Sequence, residues 1–579
     1  MPKPWFEREP DLLETEKKAY LEGGMDFRLN EELLVKKKVV VFEGTIQASD
    51  GEHRLQVIYP SGFPDTMPLI RDLSKVLPRH QEPYSGVLCI EQKKTGADRV
   101  LEALDLINVF NERPQDIEDL EIDAPEPASI YYPYNKLSTT KVSSVLIPST
   151  MTHIPMGSWG DFALRLQVFN PTIHINEVMQ TVLYKVHDAS SNKTYSINSE
   201  ALQGVLEMKG QWLKVKTQPP FLNDYGSFKK WFFDQESKLT YRYQRLLDKM
   251  KQNDPARDFD IFGIVYPEEG PKRREYVHDQ WLIGVESKKH KIKALLRPSL
   301  LGVEDAYFQR IPSLIKLREK KVVLVGLGAI GSVIATELAR AGIGHFCLID
   351  FDGYDAGNVV RQAVDLRMTG MAKVDAIARQ IKLINPFAKV KPWGVKLGMP
   401  VHDPESLPDG EGDDLSIFSK LTAEYDLIIS TIADKSVEFL INDILTAAGK
   451  PGIYAYVHNG AWGGQIFRAL PNEACFECFG YHKSDMNTGN VNEDPLAQPL
   501  YARGCCFPTF TGTGFDTSVI SNLATRFAVQ TLLRNENGYP DVDYNLINWS
   551  SRTDSKGDLP NLEKRNITKH NSCRFHKSC

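Results

Sequence analysis

The pattern of apolar and polar positions predicts different architectures in different parts of the chain. The stretch KKVVLVGLGAIGSVIATELARAGIGHFCLID (residues 320–350) has an apolar run, a glycine turn, a helical period and a second apolar run. Another apolar run, YDLIISTIAD (425–434), ends in an acidic residue. This order is typical of a parallel α/β sheet that binds ligands at the carboxyl ends of its strands. We therefore predict a Rossmann-like domain over residues 300–579.

The first 140 residues follow a period of two and then a helical period. KKKVVVFEGTIQ (36–47) and HRLQVIYP (53–60) alternate as strands do, and the turn signal SDGE separates them. The stretch DRVLEALDLINVFNE (98–112) has the apolar spacing of a helix. We predict an N-terminal α+β domain over residues 1–140.

Residues 145–295 mix strand-like and loop-like pieces with one long helical pattern, SFKKWFFDQESKLTYRYQRLLDKMKQ (227–252). They contain no evident catalytic constellation. We interpret them as a mixed linker or protein-binding domain, so the chain is predicted to combine α/β and α+β domains.

Composition narrows the class of protein. The chain has 579 residues, a net charge of −6 and a pI near 6.2, which argues against a generally basic nucleic-acid binder. The longest apolar stretch is too short and too rich in glycine to span a bilayer, and the N-terminal residues have no apolar signal region. We expect a cytoplasmic protein that binds neither nucleic acid nor membrane. Of its eight cysteines, six lie in the last 110 residues, which favours metal binding or catalysis over disulfides.

The glycines of the C-terminal domain predict a nucleotide site. Gly326, Gly328 and Gly331 form G-x-G-x-x-G between a strand and a helix, where the backbone can approach a phosphate closely. The glycines alone fit NAD as well as ATP. Charged and amide residues that follow favour a triphosphate with Mg²⁺, because Arg and Lys neutralise phosphate oxygens and Asp can hold the metal ion. These residues are Asp350, Asp352, Asn358, Arg361, Gln362, Lys373 and Asp434.

Together with the glycines, this set resembles the adenylation domain of ubiquitin-activating enzymes and of their bacterial ThiF-type relatives, which activate sulfur carriers. The resemblance covers residues 300–579. It implies that Asp350 binds the ribose, that Arg361 and Lys373 bind phosphates, and that Asp434 holds Mg²⁺. The segment YFQR (307–310) is similar to an arginine segment that reaches into the partner subunit's site in that family, which makes Arg310 a candidate and implies a homodimer.

A metal site is predicted near the C-terminus. Cys475 and Cys478 have the C-x-x-C spacing with which two thiolates share a tetrahedral zinc ion. The segment CRFHKSC supplies Cys573 and Cys579 as the second pair, and His576 is an alternative to one of the cysteines. The related family commonly uses two C-x-x-C pairs, and this chain departs from that pattern.

Two further cysteine loops are candidates for thioester chemistry. Cys505 and Cys506 lie in RGCCFPTFTGTGFD, and related activating enzymes carry their nucleophile in the matching loop. The sequence leaves open which of the two attacks. The segment YSGVLCIEQ (84–92) places Cys89 after a proline-rich stretch, in a pattern that resembles the core of ubiquitin-conjugating enzymes. The usual His-Pro-Asn before the cysteine is replaced by His80-Gln81-Glu82.

A conjugating half and an activating half on one chain resemble the fusion proteins of bacterial cGAS-like antiphage (CBASS) operons. The resemblance implies that ATP activates a protein C-terminus as an acyl-adenylate, and that the acyl group passes through two thioesters to the lysine of an acceptor protein. The activated protein would be a cGAS-like nucleotidyltransferase. Alternatives are a sulfur-carrier-activating adenylyltransferase, an NAD-dependent oxidoreductase with an accessory domain, and a non-enzymatic scaffold.

Overall fold

The computed structural model divides into two compact units, one made of residues 1–198 and 204–301 and the other mainly of residues 302–579. It describes residues 4–576 except 65, 75–76, 78–80, 83–84, 89, 91–94, 113–131, 133, 141, 168–177, 198–205, 217–218, 220–223, 235–258, 271–272, 302–311, 398–413, 433, 486–499, 502–507, 510, 537–538 and 552–559. Among the described residues, no helix is both long enough and apolar enough to cross a bilayer.

The first unit begins with an antiparallel four-stranded sheet in the order β1-β2-β3-β4, which confirms the predicted hairpin. Alternate positions of β3, among them Leu55 and Val57, are fully buried. The helix predicted over 98–112 spans 96–112, and its Val100 and Ile107 pack against them. The strands are β1 (Phe27–Leu29), β2 (Val40–Ala48), β3 (Gly51–Tyr59) and β4 (Leu69–Asp72). The helices are α1 (Trp5–Arg8), α2 (Pro10–Glu22), α3 (Glu31–Lys37) and α4 (Gly96–Glu112).

The same unit contains a second, closed sheet. Its strands are β5 (Val142–Pro148), β6 (Trp159–Gln167), β7 (Val178–Asp188), β8 (Lys193–Ser196), β9 (Leu206–Lys214), β10 (Asp260–Gly270), β11 (Arg273–Ser287) and β12 (Ile292–Leu301), and its helices are α5 (Tyr134–Leu137) and α6 (Tyr225–Asp234). The order is β5-β12-β11-β10-β9-β6-β7-β8, and β5 also pairs with β7. The sheet therefore closes into a barrel, with β8 as an extra strand on β7. Phe228 and Phe232 of α6 pack on Phe262 of the sheet.

The second unit is built on a sheet in the order β15-β14-β13-β16-β17-β18-β21-β22, in which β13 to β17 are parallel and the last three strands run antiparallel. Its strands are β13 (Lys321–Val325), β14 (His345–Ile349), β15 (Lys389–Trp393), β16 (Leu427–Ser430), β17 (Gly452–Val457), β18 (Gly463–Ala469), β21 (Leu546–Ser550) and β22 (Asn561–Arg565), beside a short separate pair, β19 (Leu500–Tyr501) and β20 (Pro508–Thr509). The helices are α7 (Gly331–Arg340), α8 (Lys373–Ile384), α9 (Asp414–Glu424), α10 (Lys435–Ala448), α11 (Phe476–Asp485) and α12 (Gly514–Leu533). Short 3₁₀ turns include Pro312–Glu319, Ala356–Val360, Leu366–Met368 and Asn459–Ala461.

The parallel part of this sheet is buried on both sides, because β13, β14 and β16 are almost entirely apolar. After β13 the chain adds β14 and β15 on one side and then returns to place β16 on the other side. Such a reversal of strand order leaves a crevice at the carboxyl ends of the two central strands. The predicted strand–turn–helix–strand segment is confirmed, and it ends in this crevice.

Candidate nucleotide site and metal centre

The glycine loop closes against the neighbouring strand. Gly326 has a φ of 89°, and a Cβ atom there would lie 2.8 Å from Ile432. At Gly331 a Cβ atom would lie 2.0 Å from the carbonyl oxygen of Gly326. Neither position accepts a side chain, so both glycines are required by the fold itself. The Thr431 hydroxyl, which no sequence motif marks, donates to the Gly326 carbonyl at 2.9 Å and fixes the turn.

Gly328 behaves differently. Its φ lies outside the left-handed region, and a Cβ atom there would meet nothing within 4 Å. No packing reason for a glycine is therefore visible at this position. Open space above the backbone, at the start of helix α7, suits a phosphate that must approach the chain closely. The loop thus fits a nucleotide.

Two carboxylates and one ammonium group follow the glycine loop. The carboxylate of Asp350 accepts hydrogen bonds from the backbone N–H groups of Leu327 (2.6 Å) and Asp352 (2.8 Å), so it ties the glycine loop to the next loop. The Lys373 ammonium group lies 2.9 Å from Asp352. The Lys373 side chain is only 10% exposed, whereas that of Asp352 is 53% exposed. The nearly buried ammonium group of Lys373 is therefore paired with a carboxylate that solvent or a ligand can reach.

The residues Asn358, Arg361 and Gln362 belong to one 3₁₀ turn and its end. The Asp355 and Asn358 side chains form a capping box that starts the turn. Burial lowers the pKa of the half-buried Arg361. Gln362 is 9% exposed, and its Oε1 atom has no hydrogen-bond partner within the described residues. The Gln362 Oε1 atom is thus available to a polar ligand, since a buried polar atom without a partner is costly to the fold alone.

Asp434 lies at the end of the segment that follows β16. It is the N-cap of α10, and its carboxylate accepts the Ser436 N–H at 3.0 Å. The residue is exposed. The structure thus places all the predicted nucleotide residues on loops at the carboxyl ends of β13, β14 and β16 or on the helices that follow. Asp352 and Asp434 supply the carboxylate oxygens that Mg²⁺ prefers.

Four donor atoms come together beside α11. The thiols of Cys475, Cys478 and Cys573 and a ring nitrogen of His576 all lie within 4.8 Å of one another. The Cys475 and Cys573 sulfurs are 3.5 Å apart, and His576 Nδ1 is 3.1 Å from the Cys478 sulfur. A hydrogen bond with Cys475 and another from the His570 N–H lower the pKa of Cys478 below its usual range and outweigh burial, which raises it. Three thiols and one imidazole match a structural zinc site, and His576 completes the set.

Several predicted residues lie outside the described part of the chain. They are Cys89, Arg310, Cys505, Cys506 and Cys579, together with His80. Their roles stay predictions.

The described residues just before Cys89 are held on the N-terminal sheet. Gly86 accepts the Asp72 N–H at 2.8 Å. The imidazole of His53 contacts the carboxylates of Asp72 (2.6 Å) and Asp50 (2.8 Å). Burial lowers the pKa of His53, but these two hydrogen bonds outweigh burial and raise it above 6.5. The segment before Cys89 is thus hydrogen-bonded to the backbone of Asp72, whose buried carboxylate contacts the His53 imidazole.

Gln81 belongs to the segment His80-Gln81-Glu82 that precedes Cys89. It is buried, its Oε1 atom accepts the Leu77 N–H at 2.5 Å, and its Nε2 atom donates to the Gly86 carbonyl at 3.2 Å. Its amide therefore shapes the loop before Cys89.

The glycine loop, the crevice where the strand order reverses and the charged groups around them define a nucleotide-binding α/β domain. Residues 304–570 match the model of the ThiF family. The uncharacterized protein y4oA of Sinorhizobium fredii is 25% identical over 98% of this chain and 97% of that protein. Ubiquitin-like modifier-activating enzyme 5 of Oryza sativa is 25% identical over 52% of this chain and 68% of that protein. A crystal structure of E. coli MccB with ATP is 19% identical, with a TM-score of 0.34, over 45% of this chain and 68% of that one. Residues 304–570 are thus an E1-like adenylation domain of ThiF type.

Proposed function

We propose that the chain uses ATP to activate the C-terminal carboxylate of a polypeptide. The observation that carries this proposal is the crevice between β13 and β16, where Gly328 leaves open space, together with the nearly buried Lys373, whose partner Asp352 is tied to the glycine loop through Asp350. A hydride-transfer site has little use for Lys373 and Arg361 beside one nucleotide, whereas a triphosphate needs both. The names of relatives, such as the ubiquitin-like modifier-activating enzyme, support a polypeptide as the second substrate.

In the proposed reaction, a carboxylate oxygen of the polypeptide attacks the α-phosphorus of ATP. The bond between the α-phosphorus and the bridging oxygen breaks, and pyrophosphate leaves with the electron pair. Lys373 and Arg361 neutralise phosphate oxygens, and backbone N–H groups at the start of α7 bind them. Asp350 would bind the ribose, while its two oxygens accept the backbone N–H groups of Leu327 and Asp352. Mg²⁺ would balance phosphate charge when bound, and Asp434 would hold it.

Transfer to thiols is the second part of the proposal. The thiolate of Cys505 or Cys506 attacks the acyl-adenylate carbonyl, and AMP leaves. The thiolate of Cys89 then takes the acyl group and releases the first thiol. A lysine amine of an acceptor protein finally attacks this thioester, forms an amide and frees Cys89. Each thioester keeps the carbonyl activated toward the next nucleophile.

The resemblance to CBASS fusion proteins leads us to propose a cGAS-like nucleotidyltransferase as the activated protein and antiphage signalling as the purpose. We further propose a cytoplasmic homodimer in which Arg310 enters the partner's site. We propose three domains with separate roles. Residues 1–140 would carry the conjugating step, residues 145–295 would link the domains or bind protein, and residues 300–579 would carry the adenylation. Zinc at the Cys475, Cys478, Cys573 and His576 cluster would be structural.

The relay predicts a specific set of adducts. The full chain would be tagged, expressed in the cells from which it comes, and isolated in acid without reductant. Cys89→Ser is expected to accumulate an oxyester that thiols do not cleave, whereas the wild-type adduct is thiol-sensitive. Mass spectrometry would identify the attached polypeptide.

Two variants complete that experiment. Replacing both Cys505 and Cys506 by alanine should remove the adduct at residue 89, since the acyl group reaches Cys89 through one of them. Cys347→Ala is the matched control, because Cys347 is fully buried and burial raises its pKa to about 11. An adduct that persists without Cys505 and Cys506 would contradict the relay, and a persulfide on either thiol would favour sulfur-carrier activation instead.

A further inference from the structure

A cavity of about 730 Å³ opens between α10 and α11 in the second unit. Lys435 and Phe439 of α10, Tyr456 of β17, and Phe479 and Gly480 of α11 are among the residues that line it. Cavities of a few hundred Å³ with apolar walls are typical of sites for small molecules or side chains. The nucleotide and zinc chemistry above does not use this space.

The cavity lies beside the proposed reaction centre. Asp434 caps α10, Lys435 is the next residue, and Glu438 is one turn farther along. One helical turn is about 5.4 Å long, and an extended peptide advances about 3.3 Å per residue. A polypeptide whose terminal carboxylate reaches the α-phosphate near Asp434 would therefore meet the near wall of the cavity about two residues before its end. The rest of the cavity, toward α11, would face the one or two residues before that.

Gly480 keeps the cavity open at a cost to the helix. It is in the middle of α11, where glycine is less favourable than alanine by about 1 kcal/mol. A Cβ atom there would make only an ordinary contact, 3.5 Å from the Phe439 ring, so packing does not demand glycine. A residue that weakens the helix without a packing reason, on the wall of a cavity, indicates that the empty volume is used.

The aromatic side of the cavity favours an apolar occupant, whereas Lys435, Glu477 and Arg574 line other parts of it, with Arg574 paired to Glu477 at 2.9 Å. Phe439 packs on Phe476 at 5.6 Å, and Phe479 lies close by, so aromatic rings form one side. Glu438 is 2% exposed, and burial, with the neighbouring Asp434 charge, raises its pKa to about 8, so the carboxyl is mainly uncharged at neutral pH. The Lys483 ammonium group is bound to the Tyr456 hydroxyl (2.9 Å) and to Gln465 (2.8 Å).

We propose that this cavity takes a large apolar side chain, aromatic or aliphatic, from the tail of the activated polypeptide. The side chain belongs to a residue about two to four positions before the terminal carboxylate. The inference rests on the proposed function, because it names the tail that the adenylation site would accept.

The test uses a pooled library of synthetic octapeptides with free C-termini, incubated with the full chain, ATP, Mg²⁺ and hydroxylamine. Hydroxylamine nitrogen attacks an acyl-adenylate and releases AMP, so every activated peptide leaves as a C-terminal hydroxamate that mass spectrometry can sequence. Wild type is expected to enrich large apolar residues at least about fivefold at one position in that window. Gly480→Leu fills the cavity and should shift the enrichment at that position to small residues.

The controls separate specificity from folding. Gly480→Ala should raise the melting temperature, since alanine favours the helix, while it weakens the preference for the largest side chains. Ala447→Leu adds the same leucine to an exposed position of α10 and should leave the preference unchanged. Zinc content, measured for each variant, should stay constant.

The outcomes are distinct. Hydroxamates without a preference at any position, or with a preference that Gly480→Leu leaves intact, would overturn the cavity inference and leave the proposed adenylation standing. No hydroxamate from any peptide, although ATP binds, would overturn the inference together with tail activation as its basis.

Discussion

Replacing Lys373 by alanine is expected to lower the rate of substrate-dependent AMP formation by about 10²–10³-fold, the effect seen when one preorganised donor to a developing charge is lost. Lys373 is a nearly buried cation, and its partner Asp352 is tied through Asp350 to the glycine loop that contains Gly328. The measurement is release of AMP from labelled ATP by the full chain, with and without substrate.

The same variant should still fold. Asp352, the partner that loses its ion pair, is half exposed, so water can solvate it, and such pairs contribute about 0–1 kcal/mol. Lys382→Ala on the same helix is the matched control and should keep full activity. Wild-type activity in a folded Lys373→Ala variant would show that this cation does not act on the nucleotide.

Replacing Cys478 by alanine is expected to remove zinc from the chain and to destabilise the second unit. Binding at 1,000 times Kd stabilises a fold by about 4 kcal/mol, and each kcal/mol shifts the melting temperature of a domain of 150–250 residues by about 2–4 °C. We therefore expect a loss of about 8–16 °C for the corresponding transition. Metal analysis and calorimetry would measure both effects, and a strong chelator should reproduce them in the wild type.

The fourth zinc ligand can be decided by a pair of variants. His576→Ala should lose zinc as Cys478→Ala does, because His576 Nδ1 lies 3.1 Å from the Cys478 sulfur. Cys579→Ala should retain zinc. The reverse result would assign the site to four cysteines, and unchanged zinc and stability in Cys478→Ala would remove the metal site altogether.

Much of the adenylation domain could be predicted because its signals are local. The G-x-G-x-x-G loop and the strand before it lie within one stretch of sequence, and the structure places them as expected. Thr431 was missed although it lies inside the quoted strand segment. Its hydroxyl matters only because β16 returns beside β13, more than 100 residues later in the chain, and brings it to the Gly326 carbonyl.

The closed sheet in the middle of the chain could not be predicted, because it depends on contacts between distant segments. Its strands could be recognised one by one, but the closure of the sheet depends on the pairing of β5 with both β12 and β7. Both pairings are parallel, and β5 and β12 are about 150 residues apart in the chain. Parallel strands are not joined by a tight turn, so the sequence between them contains no turn motif that would predict the pairing. The open cavity beside α10 escaped prediction for the same reason, since its walls come from three separate elements.

The most direct test of carboxylate activation is isotope labelling of the oxygen atoms of the terminal carboxylate. A polypeptide identified on Cys89, or as a hydroxamate, would be prepared with ¹⁸O in its terminal carboxylate and incubated with the full chain, ATP and Mg²⁺. If a carboxylate oxygen attacks the α-phosphorus, AMP released by the thiol carries one ¹⁸O atom, and pyrophosphate carries none. Unlabelled AMP would mean that water attacked ATP, and ADP with labelled phosphate would mean γ-phosphoryl transfer; either result would contradict the proposed adenylation.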